Sequence, residues 1–217
     1  MNSFTEENYL KAIYHLGGAG NTAVNTNRIA ELTSTKAASV TDMLKKLADK
    51  ELINYIKYQG VTLTAKGKRT AINIVRKHRL WEVFLVEKLG FKWDEVHSIA
   101  EELEHINSEQ LIDRLAEFLG NPKSDPHGDP IPDKDGVFHK KELIKLAELL
   151  IGQEGKISGV SEHSPAFLQY LEKTGLTLGK KIKMKESLEY DGSVSLLIDK
   201  KEITVSSKVA KNILIQL

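Results

Sequence analysis

The sequence predicts a mainly α-helical chain with small β parts: an N-terminal winged helix-turn-helix, a helical middle segment and a small C-terminal β-barrel. Three observations predict it. The first 63 residues place short amphipathic helices before a β-hairpin, the next 57 carry 3.6-period apolar stripes, and from Lys156 the pattern breaks into short strands and turns. The chain has 217 residues, 41% of them hydrophobic and 28% charged, enough for up to three small domains of an ordinary globular protein. The expected division is 1–73, 74–140 and 141–217.

TEENYLKAIYHLG, residues 5–17, reads as a helix whose apolar face is Tyr9, Leu10, Ile13, Tyr14 and Leu16; Gly17, Gly18 and Gly20 end it. NTNRIAEL and TSTKAASVTDMLKKLADKELI follow as two helices joined by a tight polar turn, with Thr26 or Asn27 capping the first and Ser34 or Thr35 the second. LINYIKYQGVTLT alternates around Gly60 as two strands and a turn, the wing. In a winged helix the second of the paired helices enters the major groove of duplex DNA. Thr35, Lys36, Ala38, Ser39 and Asp42 are then the candidates for base edges, and Lys45, Lys46, Lys57, Lys66 and Lys68 for phosphates.

Charge supports this assignment. Residues 1–80 hold 13 Lys+Arg against 6 Asp+Glu, a balance of +7; residues 81–140 hold 6 against 14, or −8; the remainder is +2. A basic first third suits a polyanion and an acidic middle suits a cation. Nothing in MNSFTEENYLKAIY reads as a signal peptide, and no stretch approaches the roughly 20 apolar residues needed to span a bilayer. The absence of cysteine excludes disulfides and thiolate metal sites and fits a reducing cytoplasm.

A long helix begins near Thr64 and ends at Gly90, and EVHSIAEELEHI and SEQLIDRLAEFLG follow as further helices. Val83, Phe84, Val86, Leu89, Ile99, Leu103, Leu111 and Leu115 offer more apolar surface than one layer of helices can bury, which predicts a homodimer through this region. The same region carries the chemistry. His78 and Glu82, His97 and Glu101, and Glu101 and His105 are each four apart, and Glu101 and Glu104 three apart, spacings that share a helix face. One such pair is ordinarily a solvated contact; two clusters within 28 residues point to a divalent metal held by nitrogen and oxygen. A di-metal oxidase would need a Glu-x-x-His motif from each of two helices, and Glu102-x-x-His105 is a single copy, so no enzyme is expected.

NPKSDPHGDPIPDKDG, residues 121–136, holds four of the five prolines and reads as a loop, which makes His127 a loop residue rather than a ligand. Residues 137–155 look helical in part. KISGVSE, KKIKMKES, VSLLID and KEITVSS read as strands around the helix PAFLQYLEKTG, a small barrel that SSKVAKNILIQL completes.

Taken in order, and above all in RKHRLWEVFL, VHSIAEELEH and PKSDPHGDPIP, the chain resembles the iron- and manganese-dependent repressors typified by the diphtheria toxin repressor, in their three-domain form. The resemblance covers essentially the whole chain and implies an SH3-like C-terminal domain. It implies Mn²⁺ or Fe²⁺ at two sites per subunit: a primary site of Glu101, Glu104, His105 and Asn8, and an ancillary site of His78, Glu82, His97 and His163, with Glu162 beside the last. It also implies a dimer that binds palindromic operators of metal-uptake genes when metal is bound. Glu101 stands where iron-type members carry cysteine, and Lys11 where a two-domain manganese regulator has a glutamate ligand. The rival reading is a winged-helix regulator that senses an organic ligand, its His/Glu pairs serving as surface contacts.

Overall fold

Local sequence chemistry starts each element. Ser3 and Glu6 form a reciprocal cap, Ser3 Oγ accepting from Glu6 N at 3.3 Å and Glu6 Oε2 from Ser3 N at 2.9 Å, and α1 runs Phe4–Leu16 from it. Its buried face includes Tyr9, Leu10, Ile13 and Tyr14. The computed structural model describes residues 2–18, 22–56, 59–139 and 141–217; Gly20 and Lys57 lie outside them. Helix α2 (Thr26–Leu32) starts one residue before the expected caps, on Asn25, whose side chain accepts from Asn27 N at 2.8 Å. Helix α3 (Ala37–Asp49) starts after Lys36, whose ammonium cannot accept a capping bond, and the Thr35 hydroxyl donates to the Thr33 carbonyl at 2.9 Å.

Strands β1 (Ile53–Ile56) and β2 (Gly60–Leu63) pair antiparallel, Ile53 opposite Leu63. Val24 bridges Val61 as a third edge. Gly60, at φ 101°, allows this approach, since a Cβ there would sit 2.7 Å from the Val24 carbonyl oxygen. Helix α4 (Ala65–Leu89) is followed by α5 (Val96–Leu103) and α6 (Glu109–Phe118). No helix among the described residues is long and apolar enough to cross a membrane.

The C-terminal part is a six-stranded antiparallel sheet of order β3-β8-β4-β5-β6-β7, formed by β3 (Ile144–Lys145), β4 (Glu154–Val160), β5 (Lys181–Ser187), β6 (Val194–Ile198), β7 (Lys201–Val205) and β8 (Ile213–Gln216). Register shifts at Ile157/Gly159 and Met184/Glu186 mark bulges of the kind that curl a sheet over its core. Helices α7 (Pro165–Thr174) and α8 (Ser207–Ala210) complete it, and Leu146, Ile157, Leu168, Leu171, Leu196 and Ile215 are fully buried inside. Residues 137–155 contain no α-helix among those described: β3 and a 3-10 turn at Leu146–Glu148 stand where helix was expected.

The chain forms two compact units. One comprises Met1–Trp81, Glu101–Arg114 and Pro132–Val137; the other Glu82–Ala100, Leu115–Ile131 and Phe138–Leu217.

Candidate metal centre

In the first unit, Glu104 and His105 lie in the turn leaving α5, both buried, and meet α1 and α4 rather than their own helix. His78 Nδ1, on α4, is 2.6 Å from Glu104 Oε2, and Lys11 Nζ, on α1, donates to both Glu104 oxygens at 2.6 and 2.8 Å. Lys11 Nζ also stands 3.6 Å from Glu101. His105 Nδ1 is 2.7 Å from Glu7 Oε2, and its ring stacks on Phe4 with centroids 4.6 Å apart. Asn8, expected as the ligand from α1, is exposed; its buried neighbour Glu7 is the residue facing His105. Burial pushes the Glu104 carboxyl up, but His78 and Lys11 outweigh it and hold its pKa below the ordinary value.

Glu104 and His105 thus face different partners, Glu104 the His78 ring on α4 and His105 the Glu7 carboxylate on α1. Among the described residues, Glu101, Glu104 and His105 belong to no set of three donor atoms lying within 4.8 Å of one another. A divalent ion does not fit this arrangement as it stands, because an ammonium already occupies the carboxylates.

The second unit holds a set that does fit. Glu82, Asp125 and His127, all buried, each offer a donor atom within 4.8 Å of the others. His127 Nδ1 is 3.7 Å from Glu82 Oε2 and 4.0 Å from Asp125 Oδ1. The other ring nitrogen, Nε2, lies 2.8 Å from the Trp93 carbonyl oxygen, so it carries the hydrogen and leaves Nδ1 to face the carboxylates. Burial disfavours charge on His127, yet the Glu82 and Asp125 carboxylates outweigh it and raise its pKa above the ordinary 6.5. His97 Nδ1 is 3.4 Å from Glu82 Oε1, and the exposed His163 ring packs 4.9 Å from that of His127.

Residues 123–131 are ordered by their own short-range bonds. Asp125 Oδ1 accepts from His127 N at 2.8 Å and Asp129 N at 3.0 Å, and Val160 N of β4 donates to the His127 carbonyl at 2.9 Å. Gly128 passes so close to β4 that a Cβ would lie 2.2 Å from the Ser158 carbonyl oxygen. The proline-rich composition predicts this loop, and within it DPHGD places acid, imidazole and a glycine turn in five residues, so that Asp125 and His127 become candidate donors that helical spacing does not reveal.

Lys36, Ala38, Ser39, Asp42, Lys45 and Lys46 are exposed on α3 and its approach, while Thr35 is half-buried. Lys45 Nζ pairs with Asp42 at 3.2 Å, and Lys66 Nζ donates to the Lys50 carbonyl at 3.1 Å.

Comparison with known proteins covers all three segments. Residues 2–61 match the N-terminal DNA-binding domain of iron-dependent repressors, residues 64–133 their metal-binding and dimerisation domain, and residues 144–217 the FeoA domain. The iron-dependent repressor IdeR of Mycobacterium leprae is 36% identical over 155 residues, 68% of this chain and 67% of that protein. The diphtheria toxin repressor of Corynebacterium diphtheriae is 26% identical over 223 residues, 98% of this chain and 96% of that protein. Among solved structures, a manganese-dependent transcriptional repressor in complex with manganese superposes with a TM-score of 0.84 at 35% identity, covering 97% of this chain and 98% of that one. ScaR with bound Zn²⁺ gives 0.76 at 35% identity, covering 97% and 98%.

Proposed function

Because the chain belongs to the iron-dependent repressor family, whose members are metal-dependent transcriptional repressors, we propose that Mn²⁺ or Fe²⁺ controls its grip on operator DNA. The observation that carries this reading is the buried Glu82, Asp125 and His127 set, two hard oxygens and one imidazole, a donor mix suited to either ion. The expected ancillary ligands His78, Glu82, His97 and His163 are kept, with Asp125 and His127 added to them. Glu82 lies 3.4 Å from His97 and 3.7 Å from His127, and His163 packs against His127. The primary site keeps Glu101, Glu104 and His105, with Glu7 in place of Asn8. Bound metal supplies positive charge that gathers these donors; the chain itself supplies their orientation. Trp93 fixes the His127 ring, and His78 holds Glu104.

Glu101, Glu104 and His105, with Glu7 from α1, would hold the ion once Lys11 has left, and its charge would tie α1 to the turn after α5 and so fix the frame on which α3 is mounted. A homodimer then presents two α3 helices at the spacing of a palindromic operator. Phe84 and the exposed Phe118, ring centroids 6.5 Å apart, supply apolar surface for that dimer within the second unit. Lys36, Lys45 and Lys46 meet phosphates while Ala38 and Ser39 face base edges. The regulated genes are those of metal uptake, and the chain acts in the cytoplasm without a catalytic step. The three-domain division at residues 73 and 140 belongs to this proposal.

Calorimetric titration with Mn²⁺ and Fe²⁺ under anaerobic conditions tests it. Saturable binding that weakens at least tenfold in Glu82→Gln is expected. No divalent binding would instead favour a regulator answering an organic ligand.

A further inference from the structure

We propose that Lys11 is a built-in counter-cation: its ammonium clamps α1 onto Glu104 and Glu101 when metal is absent, and a divalent ion enters by displacing it. The clamp follows from contacts already described. Glu104 has no exposed surface and needs a cation. Lys11 Nζ reaches both its oxygens at 2.6 and 2.8 Å, and Glu101 at 3.6 Å. Glu7 and Lys11 lie one turn apart on α1, so one helix face delivers an acid to His105 and a base to Glu104.

An ammonium has no lone pair to give a metal, and here it takes up the negative charge of both Glu104 and Glu101 that a divalent ion would need. Lysine and metal are therefore alternative occupants. Apparent affinity is the intrinsic affinity multiplied by the fraction of molecules in which Lys11 has withdrawn, which raises the ion concentration needed to fill the site. The displacement half rests on the reading of Glu101, Glu104 and His105 as ligands; the clamp half does not.

The test uses the full chain. In excess chelator, amide exchange of residues 4–16 should be slow in the unaltered protein and at least about tenfold faster in Lys11→Met. In a Glu82→Gln background, which removes the second-unit site, Lys11→Met should bind Mn²⁺ at least about tenfold more tightly than Lys11. Reductive methylation of the unaltered chain gives a reading independent of whether Lys11→Met folds: Lys11 should be shielded in chelator and reactive in excess Mn²⁺. Equal reactivity in both conditions overturns the proposal, as does unchanged exchange together with unchanged affinity. If neither Glu82→Gln protein binds Mn²⁺ but Lys11→Met still loosens α1, the metal reading of this site fails and the clamp stands.

Discussion

One hydrogen bond decides which atom of His127 is offered to a metal. With Nε2 donating to the Trp93 carbonyl at 2.8 Å, only Nδ1 faces Glu82 and Asp125. His127→Gln should accordingly weaken Mn²⁺ binding by 100-fold or more, on the order of 3 kcal/mol, as read by calorimetry. Proton and metal compete for this nitrogen, whose pKa in the metal-free fold lies above 6.5. Mn²⁺ affinity should therefore fall as pH is lowered through that raised value, with a proton released on binding at the same pH. A pH-independent affinity would contradict the assignment. The ligand types were legible in the sequence, and so was the grouping of Glu82 with His97, but the partners of Glu104 and His105 were not. Spacings of three and four reveal neighbours along a helix, whereas the observed partners of His105 and His78 are 98 and 26 positions away. Long-range pairing of this kind leaves no periodic trace.

At the scale of elements, α1 is held by buried polar contacts as well as by its apolar face. Glu104 keeps its pKa below the ordinary carboxylate value of 4.5, so its contribution to stability is full above 4.5 and is lost as pH falls through the folded value. In chelator, then, α1 should lose exchange protection on acidification below about pH 4.5, and Glu104→Gln should flatten that dependence. Removing one partner of such a buried pair typically costs about 3–5 kcal/mol. The 123–131 loop is constrained in another way. Gly128→Ala forces a positive φ on alanine and drives a Cβ into Ser158, which should destabilise the second unit by at least about 2 kcal/mol in thermal unfolding and detach His127. The helices and wing were readable because each carries its own period and turn residues. The loop's order was not readable, because it depends on Asp125 bonding its own backbone and on β4 arriving beside it.

The whole molecule joins a basic first third to an acidic middle, +7 against −8, and that polarity was fully visible in composition. If phosphate contacts by Lys36, Lys45 and Lys46 dominate affinity, DNA binding should weaken steeply with salt, and Lys45→Ala with Lys46→Ala should reduce the logarithmic salt slope by about 2. The family assignment rests on matches to all three segments, and the metal-centred reading follows from where the carboxylates and imidazoles converge. The most direct test is the affinity of the unaltered chain for its operator at fixed salt, in buffered free Mn²⁺ or Fe²⁺ and then in excess chelator. A rise of at least about tenfold on adding metal is predicted, within the usual span of allosteric coupling. Equal affinity in both conditions would contradict metal control of DNA binding.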